Sequence, residues 1–471
     1  MGKIVPVSLG TRSNPARYAQ GGSARLINCY AESAGEEGKV PWPIYASDGL
    51  EGFALLDSAN GGVRSGIEVN GVIYCVAGTR AYKITTNGTV TLLGSMNISE
   101  DAPVFMARNR RSSPDTGIVC DGLMYNIRAD VLTQVTDVDL LAPTSLSFVD
   151  GYFVIGTANN TWQIGAIDDA TAWDALDYTR ADANPDAVVV VSALQSQAVI
   201  GGERSIEFHR NTDAADFPFE RVTSIDIGVL SAGSILAIEQ TLAFVGHDRT
   251  VRMLNGYDAV RISTNAVERA IEDLADPSMI KAATWVKDGH TFYAITSDSW
   301  TWVYDTATQF WHERMSYGQS NWKISTVTAF DGKLIAGDAT SGKLYEMSAD
   351  FYDEAGSPLV MEVVLPPVHA FPYPLVFNSL YIDVQVGVGT GVGDAQDIDP
   401  ELMVSWSDDG GETFAGQRLL KLGQMGRKTT RVRTHRLGQS GEDGRVFKLS
   451  CSAKVKRAIY GMSADVDRVG A

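Results

Sequence analysis

Six histidines, His209, His247, His290, His312, His369 and His435, are the side chains best suited to moving protons or binding metal near neutral pH. None stands at a spacing such as His-x-x-x-His, which would set two imidazoles on one helical face as metal ligands. His247 is followed by Asp248, two parts of a nucleophile–base–acid set. No Gly-x-Ser-x-Gly turn supplies the nucleophile, and the pair falls where a hairpin turn is expected. Carboxylates are numerous enough to leave a general acid/base pair open, but no spacing singles one out.

Three other patterns resemble functional motifs. The run 407–414 (SDDGGETF) fits the Asp-box pattern found in sialidases and other glycosidases. A glycosidic propeller carries several such boxes, whereas this chain has one. Here Ser407 and Asp409 are suited to bonding the turn backbone, Gly411 to a positive φ and Phe414 to anchoring a hairpin. The run 387–399 (GVGTGVGDAQDID) is rich in glycine but fits neither Gly-x-Gly-x-x-Gly nor a phosphate-binding Gly-Lys-Ser/Thr loop. Asp394, Asp397 and Asp399 in it lack the closing glutamate of a calcium loop. Trp300, Trp302, Trp311 and Trp322 could form a sugar platform; the alternation of Trp300, Trp302 and Tyr304 better suits packing between sheets.

Charge is more informative. The chain has 39 Lys+Arg against 57 Asp+Glu, a net charge of −18. Residues 418–457 hold twelve of the cations and two of the acids, a local +10, and 458–471 add −1. The first 417 residues therefore carry −27, a balance that repels nucleic-acid phosphate. Within the basic stretch Arg427, Lys428, Arg431, Arg433 and Arg436 are the candidate partner-docking residues, with Arg431 and Arg433 on one strand face and Arg436 on the other. Phosphate contact and docking onto an acidic neighbouring subunit are both open, and the acidic remainder favours docking.

These side chains need a scaffold, and a repeat describes it. Short apolar strands ending mostly in glycine occur at 73–78 (IYCVAG), 117–122, 152–157, 197–202, 242–247, 292–297 and 333–338. Their starts lie 44, 35, 45, 45, 50 and 41 residues apart, and a second strand follows each. A further apolar segment precedes most pairs, as at 65–69, 144–149 and 188–194. Four strands at this period are the blade of a β-propeller, whose sheets cover one another's faces around an axis. The expectation is an all-β chain with an extended N-terminal arm (1–50), a β-propeller (51–355) and a C-terminal β-sandwich (356–471). Seven blades fit better than six, with 52–56 (GFALL) as the outer strand of the last. One helix interrupts the pattern: Thr264 or Asn265 caps it, Val267, Ile271 and Leu274 line one face, and Pro277 follows.

Cys29, Cys75, Cys120 and Cys451 are widely spaced, so buried free thiols are expected rather than disulfides or zinc. There is no apolar run of about 18 residues, and the start MGKIVP lacks a signal-peptide core and has proline where a myristoylation signal has Ser or Thr. Synthesis in a reducing cytoplasm, without membrane insertion by this chain, is the expectation.

Several segments, taken in order, resemble the packaged-DNA stabilisation protein family, the tail hub or nozzle of short-tailed phages. They are 26–32 (LINCYAE), 47–53 (SDGLEGF), 178–188 (YTRADANPDAV), 202–208 (GERSIEF), 261–271 (RISTNAVERAI), 302–314 (WVYDTATQFWHER), 338–347 (DATSGKLYEM), 404–414, 431–438 (RVRTHRLG) and 445–456. The resemblance implies a virion tail protein made in the host cytoplasm, with no enzymatic activity and no cofactor. It implies a ring of six copies below the portal–adaptor complex that extends the DNA channel, helps retain packaged DNA and carries tail fibres or spikes and a plug. DNA would pass through the lumen without sequence-specific binding. A carbohydrate-binding or glycoside-hydrolysing propeller is the alternative.

Overall fold

The computed structural model describes residues 3–56, 61–184 and 186–469; Met1, Gly2 and Pro185, which enter the readings above, lie outside the described residues. Among the described residues, seven antiparallel four-stranded units follow one another. Six span 63–95, 105–134, 143–180, 188–225, 236–261 and 281–313; the seventh is 324–348 completed by Gly49–Leu55, which pairs with Lys343–Ser348. The glycine-ended strands are the second strand of each unit and their partners the third. Second strands such as Tyr152–Thr157 and Gln197–Gly202 are buried except at their first residue, whereas outer strands such as Trp173–Arg180 are mostly exposed. This gradient follows from sheets that stack face to face around a common centre.

Local chemistry sets the turns. Asn70-Gly71, Asp150-Gly151, Asp288-Gly289 and Asp331-Gly332 join first to second strands, and both residues of each pair have positive φ. Such type I′ turns match the strand twist and demand Gly in the second position. First strands of all seven units line one cavity of about 330 Å³. The N-terminal two thirds of the chain is thus propeller-type.

The helix is present at Asn265–Glu272, with Val267 and Ile271 buried and Leu274 packed beside them. Thr264 stands at its N-cap, but the hydroxyl makes no cap hydrogen bond. Instead Glu268 accepts hydrogen bonds from Ser263 Oγ and from Arg261 Nε, both 2.6 Å.

Beyond residue 358 lies a β-sandwich. One sheet runs Cys29–Ala31, Ile44–Ala46, Ala458–Arg468, Leu375–Val384, Val432–Gln439, with Lys3–Val7 paired to 462–466. The other contains Met361–Val364, Val446–Cys451, Glu401–Ser407 and Ala415–Lys421. Phe377, Phe447, Leu380, Leu449 and Val404 meet between them, all wholly buried. The strand at 415–421 has no apolar alternation, whereas in 458–468 buried Met462, Ala464 and Val466 alternate with Ser463, Asp465 and Asp467.

Arg25–Ile27 joins the two regions. It pairs with Phe310–Glu313 of the sixth unit through Ile27 and Glu313, and with Met361–Val364 of the sandwich, making one nine-stranded sheet. Asn28, at φ +54, donates from Nδ2 to the carbonyls of Met315 and Val360, both 2.9 Å, and accepts from Met315 N–H at 2.9 Å. Arg25 Nε donates to Glu313 Oε1 at 3.0 Å. Nearby, buried Arg314 lies 4.2 Å over the Trp322 ring and donates to Asp48 O at 3.1 Å; Trp322 Nε1 donates to buried Glu354 at 3.1 Å. Arg457 donates to backbone carbonyls of Leu359, Cys451 and Tyr352. Arg314 Nε, Glu354 Oε2 and Arg457 Nε have no hydrogen-bond partner among the described residues, so removing a remaining partner would strand a buried charge.

Leu50 is wholly buried against Trp285, Trp322 and Met347, so Leu50→Ala should cost about 2–5 kcal/mol. Leu55→Ala, in the same strand but 54% exposed, should stay within about 0.5 kcal/mol; urea unfolding midpoints check both. Burial, with the charges of Arg314 and His290, pushes buried His312 down to about 3. The unfolded chain then binds more protons than the folded one between about pH 6.5 and that value, so stability falls as pH drops through this window. His312→Gln should flatten the pH 6.5–4.5 part of the curve relative to the parent.

Candidate docking surface

Val432–Gln439 forms an edge of its sheet, and alternation buries Val432, Thr434 and Leu437 while Arg433 and His435 face out. Arg431, just before the strand, is exposed on the side of Arg433. Strict alternation would put Arg436 with Val432 and Thr434 on the core face. A β-bulge opposite 377–379 intervenes, with Arg436 at φ +58, and its side chain stays in solvent. The bulge resets the period of two, so Arg436 is solvent-exposed yet apart from the groove that Arg431 and Arg433 line.

Arg427 and Lys428 lie in the turn before the strand. The glycine-rich loop supports this turn by close backbone approach. Gly387 N donates to Leu422 O and Gly426 N to Gly387 O, at 2.9 and 3.3 Å. A Cβ on Gly389 would stand 2.2 Å from Ile398 O, which explains the glycine there. Asp394 and Asp397 form the capping box of the short helix Ala395–Ile398, and Asp399 pairs with Lys421 at 2.6 Å. Among the described residues, no group of three or more His, Cys, Asp or Glu is placed to hold a metal.

Lys428, Arg431 and Arg433 converge on a groove of about 1060 Å³ across the outer face of this sheet; Arg427 and Arg436 do not reach it. Trp42, Tyr381 and Tyr460 supply its aromatic surface. Asp383, its one acid, is paired with Lys39. None of the five cations makes an ion pair among the described residues. The groove is therefore cationic, aromatic and open, suited to an acidic protein surface. The aromatic wall was missed from sequence; the sign available was Tyr381, an aromatic on the solvent side of the Leu375–Val384 alternation.

The other motifs are absorbed into structure. Ser407 Oγ accepts from Asp409 N and Gly411 N at 3.2 and 2.8 Å, and Asp409 accepts from the amides of Glu412 and Thr413 and from hydroxyls of Ser407 and Thr413. These bonds hold the Asp409 carboxyl well below the usual carboxylate range. Arg445 clamps the adjacent Asp408 through two 2.7 Å bonds. His247 Nδ1 accepts from Gly228 N at 3.0 Å, while Asp248 caps its own turn through Thr250 and Arg252, so the two form no relay. Trp302, Tyr304, Trp311 and Trp322 are buried, and Trp300 donates to Ala270 O at 3.1 Å.

The family model described as Bacteriophage P22 Gp10, beta-propeller, matches residues 44–352, and that described as Bacteriophage P22 Gp10, beta-sandwich, matches 373–467. The chain belongs to the Bacteriophage P22 Gp10 family. Gp10-family membership makes it a structural protein of the phage tail and not an enzyme. No curated protein matches it. Among solved structures, the WD40 propeller domain of Doa1 is similar at 11% identity, covering 64% of this chain and 97% of that one, with a TM-score of 0.43. The extracellular domain of a putative one component system, BT4673, from B. thetaiotaomicron is similar at 10% identity over 72% of this chain and 44% of its own, TM-score 0.45. BamB from Moraxella catarrhalis is similar at 11% identity over 62% and 95%, TM-score 0.40.

Proposed function

We propose that this Gp10-family chain is a tail nozzle subunit, six copies of which extend the DNA channel below the portal–adaptor complex. The ring helps retain packaged DNA and carries fibres or spikes and a plug. In this reading each subunit has an N-terminal arm (1–50) whose short strands enter the sandwich sheets, a propeller of seven blades (51–355) whose last blade takes Gly49–Leu55 as its outer strand, and a sandwich (356–471). The convergence of all seven first strands on one cavity supports the blade number.

The observation that carries the reading is the cationic groove at Lys428, Arg431 and Arg433 in a chain whose first 417 residues carry −27. Opposite charge steers association and fixes register between subunits or tail components. The same acidic excess disfavours counterion-release binding to DNA, which suits a wall past which DNA slides.

The test is mass photometry of the full chain with and without a portal–adaptor complex. Ring-sized particles are expected, alone or on the complex, with negligible duplex DNA binding at physiological salt. Arg431→Glu with Arg433→Glu should weaken assembly by about tenfold or more, increasingly so as salt is lowered, without lowering the melting temperature. A chain that stays monomeric with the complex present, or that hydrolyses glycans, overturns the reading.

A further inference from the structure

The cavity where the seven first strands converge has two ionisable side chains in its lining, Arg64 and Lys281, and both are cations. Lys281 opens Lys281–Lys287 and Arg64 is second in Val63–Val69, so both stand at the strand-start end of the cavity. Register shifts at equivalent places in the first strands of four units, between Val63/Ser65, Pro143/Ser145, Val188/Val190 and Ile324/Thr326. In the first unit the extra residue of this bulge is Arg64, and a bulge re-aims the side chain it carries.

The Arg64 guanidinium donates to Gly78 O at 2.8 Å, to Ala102 O and to Cys120 Sγ at 3.3 Å. These acceptors are neutral, so they fix the group in place and leave its charge unbalanced. Neither Arg64 nor Lys281 makes an ion pair among the described residues; Asp101 acts on Lys281 only from longer range. Partial desolvation at the cavity mouth and the charge of Arg64 press down the pKa of the Lys281 ammonium, whose side chain stays accessible to solvent. The hydroxyls of Ser65, Ser147, Ser192 and Thr284 line the same space without hydrogen-bond partners among the described residues.

We propose that this cavity binds a small tetrahedral oxyanion, phosphate or sulfate, between Arg64 and Lys281, with cavity hydroxyls as further donors. Its volume admits such an ion with its water and is too small for a nucleic-acid duplex. The ion relieves the repulsion between the cations and ties the first unit to the sixth across the cavity. This inference is independent of the docking surface.

Thermal unfolding of the full chain at constant ionic strength, with chloride replaced stepwise by phosphate, tests it together with isothermal titration. A saturable rise in melting temperature is expected, following ligand linkage to the folded state. Lys281→Met should weaken phosphate binding by about tenfold or more without lowering the melting temperature in chloride, and Lys281→Arg should retain binding. Equal melting temperatures in phosphate and chloride, or a phosphate shift that survives Lys281→Met, overturns the proposal. So does tetrathymidylate binding that depends on Lys281 when free phosphate does not bind.

Discussion

An antiparallel sheet ends in a row of unsatisfied N–H and C=O groups, and most of this architecture follows from how those edges are closed. The N-terminal segment closes four of them. Lys3–Val7 lies along 462–466, Ile44–Ala46 meets 458–459, Gly49–Leu55 completes the seventh unit, and Arg25–Ile27 fills the gap between the sixth unit and the sandwich. The last matters most, because one short strand satisfies two edges at once. Asn28 then locks both flanking segments through one side-chain amide, as a third backbone strand would. Propeller-type region and sandwich are thereby joined by the same hydrogen-bond ladder that holds each together.

The edges left open are managed differently. Val432–Gln439 carries exposed Arg433 and Arg436 and a bulge, the devices that blunt an edge against indiscriminate pairing. On the docking role proposed above, the same charge would also select an acidic partner.

Periodicity made the repeat legible, since second strands buried on both faces read as unbroken apolar runs such as FVIG and AVIGG. First strands at 105–108 and 324–330 were harder, because half their residues face the cavity and need not be apolar. The Asn-Gly and Asp-Gly pairs at 70, 150, 288 and 331 would have marked four hairpins directly. Of the five cations chosen from sequence, three meet in the groove. Its other wall comes from residues 6–11 and 40–42, brought in by non-local pairing that local patterns do not encode. The Arg436 bulge was equally hidden, being a property of register with Leu375–Val384 rather than of composition.

The shared ladder at Arg25–Ile27 is tested most directly by native-state hydrogen exchange resolved to single amides. The ladder account requires the amides of Ile27 and of Asn28, which donates to Glu313 O at 2.8 Å, to exchange as slowly as those of Phe310–Glu313 and Met361–Val364, all opening in one event. Rapid exchange at 27–28, with both neighbours still protected, would contradict it.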